Sequence, residues 1–99
     1  MNINPDDVDV SNNEAEQRYE ARVDGRLTIL AYQQEGGRIV YTHTEVPVEL
    51  EGHGIAGKLT QVALDDARAG RLTVVPRCPY VAGYIQRHPE YQDLVSPDA

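Results

Sequence analysis

Ninety-nine residues, 40% apolar and 25% charged, suit a single globular domain with a small core. No apolar run reaches the about 18 residues of a membrane span, and no basic-then-apolar leader marks a secretory signal, so a cytoplasmic, non-membrane protein is expected. The net charge of −7 is uneven: residues 1–20 hold six acids (Asp6, Asp7, Asp9, Glu14, Glu16, Glu20) against Arg18, whereas the remainder holds ten acids and eight bases. That balance gives no basic patch for a nucleic acid.

In chain order, residues 1–16 read as an acidic, solvated tail and 17–99 as one domain. Gln17–Val23 is a short strand ended by Asp24-Gly25, a tight-turn dipeptide. Arg26–Gln34 is a second strand with apolar residues on both faces, closed by Glu35-Gly36-Gly37. Arg38–Val46 is a third, rich in β-branched and aromatic residues, and Pro47 ends it. Helical spacing of Ile55, Leu59, Val62, Ala63 and Ala67 predicts a helix from about Gly54 to Ala69, with Gly70 as its cap. Arg71–Pro76 is a fourth strand, reached by a right-handed crossover and parallel to the third. Pro79 starts a second helix that His88-Pro89 stops near Arg87. Glu90–Val95 forms a last turn or edge segment. The fold class is α/β (α+β), of order β-β-β-α-β-α.

The densest motif is Glu51-Gly52-His53-Gly54-Ile55-Ala56-Gly57-Lys58-Leu59, with three glycines in six residues between a strand and a helix. Such a turn offers unpaired backbone N–H groups and the positive end of a helix dipole to a phosphate. A purely structural turn is the alternative. Cys78 is the only cysteine, which excludes an internal disulfide, and His43, His53 and His88 lack metal-ligand spacing, so no metal is expected.

The stretch from Val46 to Leu59 resembles the acetyl-CoA motif of the Gcn5-related N-acetyltransferases. That motif runs Arg or Gln, two residues, Gly, one residue, then Gly or Ala; here it reads Glu51, Gly52-His53, Gly54, Ile55, Ala56. A closer resemblance is to very small stand-alone members, carried by His43-Thr44-Glu45-Val46-Pro47, Gly52 to Leu59, Val75-Pro76-Arg77-Cys78-Pro79-Tyr80 and His88-Pro89-Glu90-Tyr91. It covers about residues 17–95. The resemblance implies that strands three and four splay apart. It puts the CoA pyrophosphate on the amides of Gly52, His53, Gly54, Ile55, Ala56, Gly57 and Lys58. The pantetheine arm would lie in the gap beside Val46, with a nearby N–H polarising the thioester carbonyl. Two positions depart from the pattern. Glu51 stands where Arg or Gln is usual and is expected to point outward, and the general-acid Tyr of larger members has no counterpart in register.

Cys78, directly before Pro79, is a candidate thiol that accepts acetyl or assists the leaving group; a small buried hydrophobe is the alternative. His43 and Glu45 share a strand face and are candidates for the base, against a half-buried strand histidine. Pro79, Tyr80 and Tyr84 are candidate cleft-wall residues, the two tyrosines sharing a helix face. His53 either bonds phosphate or is solvated, and Asp65-Asp66 reads as a solvated helix face. Two functions remain open: an acetyl-CoA-dependent N-acetyltransferase acting on an unidentified amine, or a CoA-binding module with little catalysis, self-acetylating at Cys78. A partner-binding domain that keeps only the fold is a third. The shortness of the chain and the missing Tyr acid favour the second. A monomer or weak dimer is expected.

Overall fold

Two short turns organise the centre of the sheet. Asp24 and Gly25 both adopt left-handed backbone, φ 53° and 74°, the geometry that matches a two-residue hairpin to the twist of its strands. They join β2 (Arg18–Val23) to β3 (Arg26–Glu35). Gly36, at φ 59°, and Gly37 join β3 to β4 (Arg38–Glu45). The antiparallel meander expected from the sequence is present in this computed structural model, which describes residues 3–97. Helix α1 (Ile55–Ala69) crosses over to β5 (Thr73–Pro76), which pairs parallel to β4, and α2 (Pro79–Arg87) follows. The result is a mixed α+β fold with a five-stranded sheet.

The fifth strand is a correction. Ser11–Asn13, expected within a solvated leader, forms β1 and pairs antiparallel with β2. Its Ser-Asn-Asn sequence has no strand preference of its own. Side-chain bonds hold it instead: Asn13 Nδ2 donates to Glu20 at 3.2 Å and the Tyr32 hydroxyl donates to Asn12 at 2.7 Å. Upstream, Pro5–Asp7 forms one 3-10 turn, and Ile3, Val8 and Val10 pack against the core. Residues 1 and 2 of the expected tail, and 98 and 99 of the expected domain, lie outside the described residues.

One face of the sheet carries the core. α1 buries Ile55, Leu59, Ala63, Leu64 and Ala67 against Tyr19, Leu30, Tyr32, Ile39 and Tyr41. Fully burying each Leu or Ile contributes about 1.5–3 kcal/mol. The Tyr41 hydroxyl, buried among these, donates to the Ala63 carbonyl at 2.9 Å. Asp65 and Asp66, exposed as expected, are also tied down: they accept bonds from Tyr91 Oη at 2.8 Å and Tyr19 Oη at 3.0 Å. Gly70 caps α1 as expected, yet the left-handed residue is Arg71, φ 56°. The Arg71 N–H returns to the Arg68 carbonyl and that of Leu72 to Ala67, which pairs two carbonyls the helix end would otherwise orphan. The segment after α2 is a 3-10 helix, Pro89–Leu94, and Val95 then bridges to Val74 beyond β5. No helix among the described residues is long and apolar enough to cross a membrane.

Candidate active site

One surplus residue in β4 shapes the site. Tyr41 pairs with Tyr32 and His43 with Ala31, so Thr42 has no partner across the ladder. A bulge of this kind bends its strand and inverts the alternation beyond it. Before it, Ile39 and Tyr41 face the core. After it, Thr44 lies opposite buried Leu30 and takes the core side, whereas His43 and Glu45 lie opposite Ala31 and Ile29 on the other face. β5 meanwhile ends at Pro76, paired with Tyr41. Past that pair β4 runs on unaccompanied, and the space beside it is a cleft of about 690 Å³.

Four segments wall this cleft. Thr44 and Glu45 end β4, and Val46 follows them. Leu50, Glu51 and Gly52 come from the turn that follows Pro47, and Gly54, Ile55 and Ala56 from the start of α1. Tyr80 of α2 stands across from them. The glycines meet specific demands. Gly52 and Gly54 adopt φ 81° and 79°, a conformation that costs other residues about 1–2 kcal/mol. Gly54 is the N-cap of α1 and supplies no side chain to it. The first turn contains no acidic residue. The N–H groups that open α1 therefore receive no side-chain cap and no carboxylate of their own helix, which leaves the positive end of the helix dipole available to an anion at the cleft.

Gly57 stands one turn in. A Cβ there would lie 3.4 Å from the Tyr80 hydroxyl and 3.8 Å from Tyr84, so both tyrosines lie against the first turn of α1. Burial raises the pKa of each above the ordinary tyrosine value, and both stay protonated at neutral pH. Tyr84 stacks on His88 with ring centroids 3.9 Å apart, and His88 Nδ1 bonds the Tyr84 carbonyl at 2.8 Å. His88 is thus a hydrogen-bonding helix stop, as its sequence position suggests.

Cys78 is the N-cap of α2, and Pro79 is its first residue. The backbone fixes the cysteine on both sides: its N–H donates to Tyr41 at 2.9 Å and its carbonyl accepts from Ala82 at 3.0 Å. The side chain is 3% exposed. Its sulfur lies 3.3 Å from the Thr44 hydroxyl, which is the wall residue between the thiol and the cleft.

The expected site residues thus divide. Val46, Gly52, Gly54, Ile55, Ala56 and Tyr80 line the cleft, together with Glu45. Cys78 lies behind Thr44, and Gly57 and Tyr84 lie behind Tyr80. His53 and Lys58 flank the same turn without lining the cleft. His43 and Glu45 pair at 3.2 Å, their side chains 51% and 64% exposed, on the sheet face away from the thiol. Sequence reasoning leaves out Thr44 and Leu50 as wall residues, and Glu51, expected to point outward, lines the cleft as well. Nothing local marks Thr44, because its facing depends on the bulge. Among the described residues no group of three His, Cys, Asp or Glu side chains is placed to hold a metal ion.

Residues 18–94 match the model of the GCN5-related N-acetyl-transferase family. A protein described as GCN5-like, from Staphylococcus aureus and solved by NMR in solution, superposes with a TM-score of 0.71. It is 23% identical, and the match spans 89% of this chain and 87% of that one. At that identity the likeness speaks for the fold. Family match and fold agree with the strand order, the parted β4 and β5, and the glycine turn at the head of α1, and the chain belongs to the GCN5-related N-acetyltransferase family.

Proposed function

We propose that this protein transfers an acetyl group from acetyl-CoA directly to an amine. The observation that carries the reading is the cleft, which joins three things a CoA thioester needs. At one end the uncapped first turn of α1 offers N–H donors to the pyrophosphate. Along the middle the unpaired edge of β4 at Thr44–Val46 offers backbone groups to the amide-containing pantetheine arm. Thr44 lines the cleft beside that edge, with the Cys78 sulfur 3.3 Å from its hydroxyl. Backbone N–H of the β4 edge polarises the carbonyl as the amine attacks, the role of an oxyanion donor. Tyr80 and Leu50 keep the arm out of bulk water. Glu51 adds no favourable charge, so the anion is held by amides and Lys58.

A second reading, binding of CoA with little catalysis, is favoured by one observation. His43, one of the two residues first considered as base, does not line the cleft, and Glu45, which does, is paired with it at 3.2 Å. An amine acceptor would then lose its proton to water.

The two readings separate in a simple assay. Acetyl-CoA is added to the purified protein and the unfolding temperature is followed; release of free CoA is then measured with a panel of amines. Transfer predicts a higher unfolding temperature and amine-dependent release. Stabilisation with no release from any amine leaves the binding module. An unfolding temperature unmoved by millimolar acetyl-CoA sinks both.

A further inference from the structure

We infer that the Thr44 hydroxyl is a catalytic proton relay that links the buried Cys78 thiol to the cleft, so that the pair protonates the departing CoA sulfur. The inference rests on the transfer reading above. Three observations carry it. Cys78 is 3% exposed and does not line the cleft, so its sulfur cannot meet a ligand without help. Thr44 does line the cleft, and its hydroxyl lies 3.3 Å from that sulfur. The backbone bonds of Cys78 to Tyr41 and Ala82 fix its main chain, and burial of the side chain confines the sulfur beside Thr44. A hydroxyl both donates and accepts, which lets it pass on a proton without changing its own charge.

The amine nitrogen forms a bond to the carbonyl carbon, and the C–S bond breaks with its electron pair going to the CoA sulfur. The Thr44 O–H proton moves to that sulfur while the Cys78 S–H proton moves to the Thr44 oxygen. CoA leaves as a thiol and Cys78 is left as a thiolate. The proton lost by the amine passes to water, and water in the emptied cleft returns one to Cys78 through the Thr44 hydroxyl. The one other hydroxyl on the cleft wall is that of Tyr80, which lies against Gly57 and is the competing proton donor.

The test compares Thr44→Val, which keeps the shape, with Thr44→Ser, which keeps the hydroxyl. Because Cys78 is the only cysteine, its S–H stretching band can be read by infrared spectroscopy without acetyl-CoA or an acceptor. A thiol bonded to Thr44 gives the same band in wild type and Thr44→Ser and a displaced band in Thr44→Val. In CoA release with the best amine of the panel, Thr44→Val is expected to lose about hundredfold in kcat, the lower end for general acid catalysis. Its KM for acetyl-CoA should stay within about twofold, and Thr44→Ser should recover most of the rate. An unmoved S–H band, an unimpaired Thr44→Val, or equal losses in both variants would overturn the inference. So would a loss confined to Tyr80→Phe. A displaced band with no CoA release from wild type refutes the transfer reading while leaving the thiol–hydroxyl contact established, so the two failures are distinct.

Discussion

The ring of Pro5 occupies the space that a side chain on Gly54 would need: a Cβ at residue 54 would come within 2.8 Å of Pro5 Cγ. The acidic leader thus touches the N-cap of α1, the residue that turns the chain into the cleft. Gly54 is constrained twice over, by that contact and by its φ of 79°.

Gly54→Ala should therefore destabilise the protein by about 1–3 kcal/mol, measured by urea unfolding. Pro5→Ala removes the clashing carbon and not the backbone strain. In a double-mutant cycle the second change should recover part of the loss and no more. Strict additivity of the two changes would argue that the leader does not rest on the turn.

Arg71 holds the left-handed position at the end of α1, where a side chain is penalised. Arg71→Gly relieves that strain and is expected to raise stability by about 1 kcal/mol, visible as a higher urea midpoint with an unchanged slope.

Thr28 is fully buried in β3, and its Oγ1 has no hydrogen-bond partner among the described residues. Replacing it with valine keeps the volume and removes an unpaid desolvation. Thr28→Val should stabilise by about 1 kcal/mol. A loss of stability would mean that the hydroxyl has a partner after all.

All six tyrosines are shifted upward, each with burial as the leading cause. Tyr91 is pushed up to about 12 by burial and by its bond to Asp65. A phenol whose folded pKa exceeds its unfolded value stabilises the fold fully below the unfolded value, here 10.0, and loses that contribution as pH rises through the folded one. The stability from Tyr91 should therefore fall between pH 10 and about 12. Phenolate absorbance should appear late and together with loss of the far-ultraviolet circular dichroism signal. Tyr91→Phe should lower stability at neutral pH by about 1 kcal/mol and flatten part of the alkaline decline.

Legibility followed from whether a signal was local. Asp24-Gly25 predicts a tight turn because few residues accept left-handed backbone, and the turn is there. Pro79 predicts a helix start because it lacks an N–H, and α2 begins on it. The apolar spacing of α1 selects the face that is buried. β1 was not legible, because Ser11–Asn13 becomes a strand through Glu20 and Tyr32, which lie outside it. In the site, the glycine turn and Tyr80 could be named from sequence, since turn chemistry and helix phase place them. Thr44 could not, since its facing depends on how β4 pairs with β3.

That pairing turns on Thr42. The residue adds nothing chemical to the cleft, yet it sets the parity of all that follows it on β4. Were Thr42 to pair in step, the imidazole of His43 would turn inward toward Cys78 and the Thr44 hydroxyl would turn out to water. Deleting it would leave both where they are and straighten the strand that now parts from β5. Which functional group looks into the cleft, and whether there is a cleft to look into, are thus separate outcomes of one uncounted position in a ladder.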